Sequence, residues 1–525
     1  MVRKMRIAAL LLTSLVTTEA VAQDDYRSRY GHAEMNISCD TAAQSAFTRG
    51  LLQLHSFAWQ QARASFEQAA GNDPDCAIAY WGVAMSYYDS LHEHPPAEDV
   101  AAAKDALAKA TKAGTRTTRE LAYLNAASEL FRGYPDVERV ERDHNYSRAM
   151  QAIADAYPDD DEARIFYALS LLALARRGEQ QGLLMQAAGL LEPLFAELPE
   201  HPGVAHYLIH AYDDAGDREP GIAAAQRYAG IAPLMTHAQH MPSHIFAGLG
   251  MWAESNASNA NALEANPRYY HSLMYLVYGH LQLGQWQEAR RLVAELEAFA
   301  NSPQGNRQEM RGLHLTNTWL LLETHDWAAA AKAPAYSDRP LEFADTLYVR
   351  GLGSAHIGEL EAAAESVRSL TSLIDNLDTA NNTDLVVRAQ LISIQVRQIE
   401  AVIALANGQD DEAVALLRSA VAIEDGPGIN RAPPDSGTGL PAHEVFGELL
   451  LELDRYAEAR QQFELALKRT PNRLHSLLGL ARSTAKDGDA EAAKKHYGKL
   501  LELLAEADSG MDIVAEARGY LAARR

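Results

Sequence analysis

Six of the chain's 19 histidines lie between residues 206 and 271, and their spacing suits metal chemistry. His206/His210 and His240/His244 are i,i+4 pairs, which share one face of a helix. His237 and His271 flank the second pair, and Asp213 follows the first by three residues. Imidazoles at this spacing hold Zn, Cu, Fe or Ni, and a nearby carboxylate either joins them or orients a ring. No cysteine accompanies the group, which argues against a structural thiolate zinc site. The segment His206-Tyr-Leu-Ile-His210 has no glutamate between its histidines, so the general base of a zincin peptidase is missing. Pro242 falls between His240 and His244. Proline is comfortable at a first helical position, so a helix starting there would leave His237 and His240 on the preceding turn.

The elements that must position these side chains are helices. Apolar residues recur at three- and four-residue spacing along nearly the whole chain, and strand-like alternation is scarce. The helices also repeat. Gly50, Ala62, Phe66, Ala69 and Pro74 are separated by 12, 4, 3 and 5 residues, and Gly447, Ala459, Phe463, Ala466 and Pro471 have the same separations. This resembles the tetratricopeptide repeat (TPR), a helix hairpin in which small residues let two helices approach, an aromatic fills the gap and proline ends the second helix. The resemblance implies an all-α solenoid, a right-handed superhelix with a concave groove. Pro202, Pro233 and Pro267 read as closing further units. On that phasing His206, His210 and Asp213 take helix-A positions 5, 9 and 12. His237, His240 and His244 take positions 2, 5 and 9 of the next unit, and His271 position 2 of the one after. In the TPR family these positions face the groove. His55, Trp81 and Met85 are expected to line another stretch of it, with His443 packed between helices.

The segments His237-Ala-Gln-His240-Met-Pro-Ser-His244-Ile-Phe, His206-Tyr-Leu-Ile-His210-Ala-Tyr-Asp213 and Leu54-His55-Ser56-Phe57 are similar to a family of secreted bacterial TPR proteins. So are Asp73-Pro-Asp-Cys76-Ala-Ile-Ala-Tyr-Trp-Gly82, Pro441-Ala-His-Glu444 and Thr470-Pro-Asn-Arg473. This second resemblance covers most of the chain and implies the fold, with no reaction attached.

Residues 1–22 have a basic lead (Arg3, Lys4, Arg6), an apolar run from Ile7 to Val16 and an Ala20-Val-Ala22 exit, the pattern of a secretory signal peptide. Export to a periplasmic or external space is therefore expected, where Cys39 and Cys76 can form a disulfide. A net charge of −23 disfavours nucleic acid as a partner. No later segment reads as a membrane span. The expected layout is a signal peptide (1–22), an extension (23–42), a solenoid with a histidine-lined groove (43–424), a Pro/Gly-rich connection (425–440) and a C-terminal TPR pair (441–525). Further loops are expected at 92–100 and 178–183. Walker, nucleophile-elbow and dinucleotide motifs are missing. Two functions remain open. One is a metal-binding groove protein, with or without chemistry on a small molecule or peptide. The other is a scaffold whose groove binds a peptide or protein partner, its histidines serving as hydrogen-bonding or pH-sensing groups.

Overall fold

The computed structural model describes residues 28–91, 95–115, 117–176, 182–335, 340–379, 383–426, 429, 434 and 439–523. The signal-peptide segment, the His92–His94 loop and most of 178–183 and 425–440 lie outside them. Among the described residues every regular element is helical. The chain divides into two compact units, Met1–Ile245 and Phe246–Arg525.

The first unit holds α1 (Thr41–His55), α2 (Trp59–Asn72), α3 (Ala77–Met85), α4 (Ala97–Ala113), α5 (Thr118–Glu129) and α6 (Arg139–Ala156). It continues with α7 (Asp161–Arg176), α8 (Gly182–Glu197), α9 (Pro202–Ala215), α10 (Ile222–Ile231) and the short α11 (Thr236–His240). α12 (Pro242–Gly248) carries the chain onward. Helices adjacent in sequence pack as antiparallel hairpins. The reason is visible at Phe66, whose ring is fully buried. A Cβ at Gly50 would stand 2.8 Å from that ring, and one at Gly82 would overlap it. Glycine on α1 and α3 is thus what lets three helices close around one aromatic. Cys39 and Cys76 are joined by a disulfide with a Cα–Cα distance of 5.3 Å, tying the lead-in of α1 to the start of α3.

Pro202 opens α9 at its first turn rather than closing a unit, and His201 caps the helix by accepting from the Val204 N–H. The closing proline is Pro199, three residues before the helix. Pro74, Pro233, Pro267 and Pro471 stand at the same offset from Ala77, Thr236, Tyr270 and Leu474.

The second unit holds α13 (Trp252–Ala265), α14 (Tyr270–Gln282), α15 (Trp286–Ala300), α16 (Arg307–Glu323), the one-turn α17 (Trp327–Ala330), α18 (Pro340–His356) and α19 (Leu360–Asp375). It ends with α20 (Thr383–Ala406), α21 (Asp410–Glu424), α22 (Ala442–Glu452), α23 (Tyr456–Arg469), α24 (Leu474–Lys486), α25 (Ala490–Leu503) and α26 (Asp512–Ala522). Phe463 repeats the Phe66 arrangement between Gly447 and Gly479. The C-terminal repeats do not stand apart as an independent pair. Arg473, fully buried, binds Glu444 at 2.8 Å and Glu323 of α16 at 2.8 Å, and also reaches the Tyr278 hydroxyl. The Leu474 N–H donates to Gln282 Oε1 at 3.0 Å, and Trp252 donates to the Asn472 carbonyl at 2.9 Å. His443 is packed as expected, between Gln462 and Asp425.

One stretch, Leu385–Ala406 of α20, is long and apolar enough to cross a membrane by length and composition, against the expectation that none would be. Its Ile392, Ile394, Ile399 and Ala401 lie in the main hydrophobic cluster of the second unit, so its apolarity is that of a core helix.

Candidate metal centre

The first unit gathers five of the six histidines through α9, α11 and α12. On α9, His206 and His210 are one turn apart and both buried, at 0% and 2% exposure. Their Nε2 atoms are 3.1 Å apart, and His237 Nε2, from the first turn of α11, lies 3.0 Å from His206 Nε2. His206 Nδ1 is 2.7 Å from the His55 carbonyl, which can only accept. The proton therefore sits on Nδ1, and the Nε2 lone pair points at the other two rings.

Arg176, the last residue of α7, donates to His210 Nδ1 at 3.2 Å while its guanidinium forks onto Asp214 at 2.5 and 3.1 Å. An acceptor at His210 Nδ1 places that ring's proton on Nε2, aimed at His206. His237 Nε2 is the third nitrogen at this point. Arg176, His210 and His206 thus form a hydrogen-bond chain, and the single Nε2 lone pair of His206 can accept from only one of its two neighbouring rings at a time.

The second histidine pair is separate from the first. His240 ends α11 and His244 lies on α12, with Pro242 between them at the helix start. Their Nε2 atoms are 3.0 Å apart, and the His237 and His240 ring centroids are 6.4 Å apart. His244 Nδ1 lies 3.2 Å from Asp213 Oδ2, and Asp213 Oδ1 accepts from Arg218 at 2.7 Å. The carboxylate thus fixes the His244 tautomer and turns its Nε2 toward His240. His271 belongs to the second unit, at the start of α14, with its ring edge-on to Tyr275 at 5.3 Å.

Beneath the triad is a second polar cluster that is almost fully enclosed. His55 Nε2 donates to Glu162 Oε2 at 2.8 Å and His201 Nε2 to Oε1 at 3.0 Å, and the carboxylate is 1% exposed. Tyr207 donates to His55 Nδ1 at 3.0 Å. Burial holds His55 below the usual histidine range against the opposing pull of Glu162. Burial would raise the Glu162 pKa, but the two imidazoles outweigh it and hold the carboxyl well below the carboxylate range. A Cβ on Gly203 would overlap the His55 ring, so glycine is required for this close approach. His55, Trp81 and Met85 are therefore interior residues, 0%, 1% and 2% exposed, and not groove lining as expected. His55 is turned inward by Glu162. Trp81 is boxed by Phe47, Phe66, Tyr123 and Phe166.

Phe57 covers the triad. It stands edge-on to His206 at 4.4 Å and stacks on His237 at 5.5 Å and His210 at 6.0 Å. Its φ of 53° is in the left-handed region, which costs a non-glycine residue about 1 kcal/mol or more. Phe57, Glu162, His201 and Arg176 were not identified as site residues from the sequence. Glu162 stands in an acidic helix start, and Arg176 in an ordinary basic helix end.

No known protein family matches the chain's sequence, and no curated protein matches it. Many solved structures are similar in part, three of them as follows. A tetratricopeptide repeat protein from Parabacteroides merdae is 14% identical over 55% of this chain and 97% of its own, with a TM-score of 0.29. The human IFIT1 dimer with m7Gppp-AAAA is 13% identical over 92% and 93%, with a TM-score of 0.35. The P58(IPK) TPR domain is 13% identical over 86% and 99%, with a TM-score of 0.21. The fold is TPR-like. Superpositions this loose carry no functional argument; the hairpins and the glycine–phenylalanine contacts of both units carry the fold.

Proposed function

We propose that the first unit binds one transition-metal ion, Zn, Cu, Fe or Ni, through His206, His210 and His237, on a TPR-like helical scaffold. The observation that carries this is the convergence of three Nε2 atoms, with the central tautomer locked by the His55 carbonyl. The Nε2 contacts of 3.0 and 3.1 Å are a few tenths of an ångström shorter than two ligands of one ion require at about 2.0–2.1 Å per bond. A slight opening of the rings, with the His210 proton moved off Nε2 and Arg176 turned away from Nδ1, would admit it. Burial of His206 and His210 leaves no room for a peptide against those rings. His240 and His244, oriented by Asp213, stand beside the triad as a carboxylate–histidine pair of the kind that supports metal sites. Three imidazoles leave a coordination position for water, which is the chemistry such an ion would supply to a small molecule or peptide.

The Cys39–Cys76 disulfide and the N-terminal leader support an exported protein. The second reading is a scaffold for a peptide or protein partner, with the histidines as structural polar groups. It is favoured by the Arg176–His210–His206 hydrogen-bond chain, which forms without an ion.

Elemental analysis and Zn titration of the untagged protein separate the two. Under the metal reading, about one equivalent binds and His206→Ala abolishes binding, while His271→Ala retains it. Absence of uptake after reloading, or equal uptake by His206→Ala, would leave the scaffold reading.

A further inference from the structure

The second unit contains a cleft of about 660 Å³ that plays no part in the histidine site. One wall is a column of stacked rings. His475 and His325 stack at 4.2 Å and 13°, His325 and Trp327 at 4.8 Å and 24°, and Trp327 and His356 at 4.1 Å and 12°. His325 has a φ of 52° in the turn between α16 and α17, and that backbone directs its ring into the column. The lining is completed by Glu448 and Glu452 of α22, a Glu448 oxygen lying within 4.8 Å of a nitrogen of His325 and of His475, and by the Tyr497–Tyr520 ring pair, 4.5 Å apart.

The charges of the cleft are unequally committed. Arg482 is taken up by Glu516 in contacts of 2.6 and 3.0 Å, and Asp454 accepts from the Tyr456 hydroxyl. Glu448 has no hydrogen-bond partner among the described residues, and Glu452 stands one turn away on the same helix. The balancing cation, Lys486, is on the exposed rim. An anion would face two carboxyl groups, and a cation, unlike a neutral ligand, gains attraction when Glu448 loses its proton. A cation on an apolar body would satisfy both the carboxyl and the aromatic wall.

We propose that this cleft is a binding site for a small organic cation, an amine carried on an apolar or aromatic body, seated on Trp327 and His356 with its charge against Glu448. The titration behaviour of the cleft agrees with the geometry. Burial, reinforced by the charge of Glu444, pushes Glu448 up to about 8. Burial lowers His325 to about 2 and His356 to about 4, so neither of these two rings carries a positive charge at neutral pH. A bound cation supplies the counter-charge that Glu448 lacks and favours loss of its proton.

The test is calorimetry at pH 7 with phenethylamine, cadaverine and tetramethylammonium as probes, and 3-phenylpropionate as the anionic control. At least one cation is expected to bind saturably at one site, with release of about one proton detected by comparing buffers of different ionisation enthalpy. Glu448→Gln, which keeps the shape and the neutral state of the empty site, is expected to weaken binding about ten-fold or more and to abolish proton release. Trp327→Leu should weaken the aromatic amine most. His206→Ala should change nothing, which separates this site from the one in the first unit. Phenylpropionate binding as tightly as phenethylamine, an unaffected Glu448→Gln, or no binding of any cation at millimolar concentration would overturn the proposal.

Discussion

Replacing Glu162 by Gln changes one oxygen to an NH2 group at a buried position where two imidazole N–H groups need acceptors. The carboxylate accepts from His55 at 2.8 Å and from His201 at 3.0 Å, and each such charge-assisted bond contributes about 1.5–3 kcal/mol. An amide can accept from one of these N–H groups but presents a donor to the other. His201 cannot escape by moving its proton, because its Nδ1 already accepts from the Val204 N–H at the cap of α9. His55 can, but its Nδ1–H would then face the Tyr207 hydroxyl, which has no other partner among the described residues and would lose an acceptor. Either way one buried donor is orphaned, at about 1–3 kcal/mol, and the surviving bond loses its charge. The relief from no longer burying an anion offsets part of this. The net expectation is a loss of about 2–4 kcal/mol.

Urea denaturation followed by circular dichroism measures this loss, and hydrogen exchange locates it. Protection should fall in α1, α7 and α9 and stay unchanged in α18–α26. Glu361→Gln, at a carboxylate 88% exposed, is the control and should stay within about 0.5 kcal/mol of wild type. The acid limb supplies an independent check. The Glu162 pKa is lowered on folding, so its stabilisation is present above the ordinary carboxylate range and is lost as pH falls through that range toward the folded value. Glu162→Gln should therefore lose less stability than wild type as pH falls below about 4.5. A variant as stable as wild type, with an unchanged acid limb, would refute the assignment of both imidazole protons.

Glu448 titrates near 8 in the folded chain, so it binds a proton there that the unfolded chain has released, and its contribution to stability falls as pH rises from about 4.5 to 8. Glu448→Gln should match wild type near pH 5 and exceed it by about 2–4 kcal/mol at pH 8.5 in thermal or urea unfolding. Arg176→Leu removes the donor that keeps the His210 proton on Nε2, so Zn affinity by competition titration should rise; a fall would show that Arg176 positions the site instead. Cys39→Ser/Cys76→Ser opens a loop of 37-residue separation and should cost up to about 4 kcal/mol in the same urea assay.

The repeat was legible because it is local: glycine, alanine, phenylalanine and proline at fixed offsets report a hairpin whatever surrounds it. The i,i+4 pairs were legible for the same reason. Anything set by contacts distant in sequence escaped. His55 has a groove-facing position by repeat number, yet Glu162, 107 residues away, and Gly203 draw its ring inward. Which of the six histidines converge depended on the break at Met241–Pro242, which turns His237 toward His206 and leaves His240 to His244. Pro242 hinted at that break, but only three-dimensional placement decides the partners. Nor did the Pro/Gly-rich stretch at 425–440 reveal that Arg473 would be buried against Glu323.

One backbone position is shared by the two sites. In the hairpin turn where glycine often takes positive φ, as at Gly250 and Gly284, the chain twice places a ring instead: Phe57 at 53° and His325 at 52°. Each stacks on a tryptophan two residues later, Phe57 on Trp59 at 4.7 Å and His325 on Trp327 at 4.8 Å. Glycine would hold the same turn without strain, so the ring is not there for the fold. Its reach is the gain: Phe57 covers the histidine triad, and His325 extends the wall of the cleft. Phe57→Gly and His325→Gly should therefore keep their turns and stay folded, relief of the positive-φ strain offsetting part of the lost ring packing. The first should expose His206 and His210 to solvent, and the second should weaken amine binding. If both variants instead unfold, the rings hold up the turns, and the link between turn and site fails.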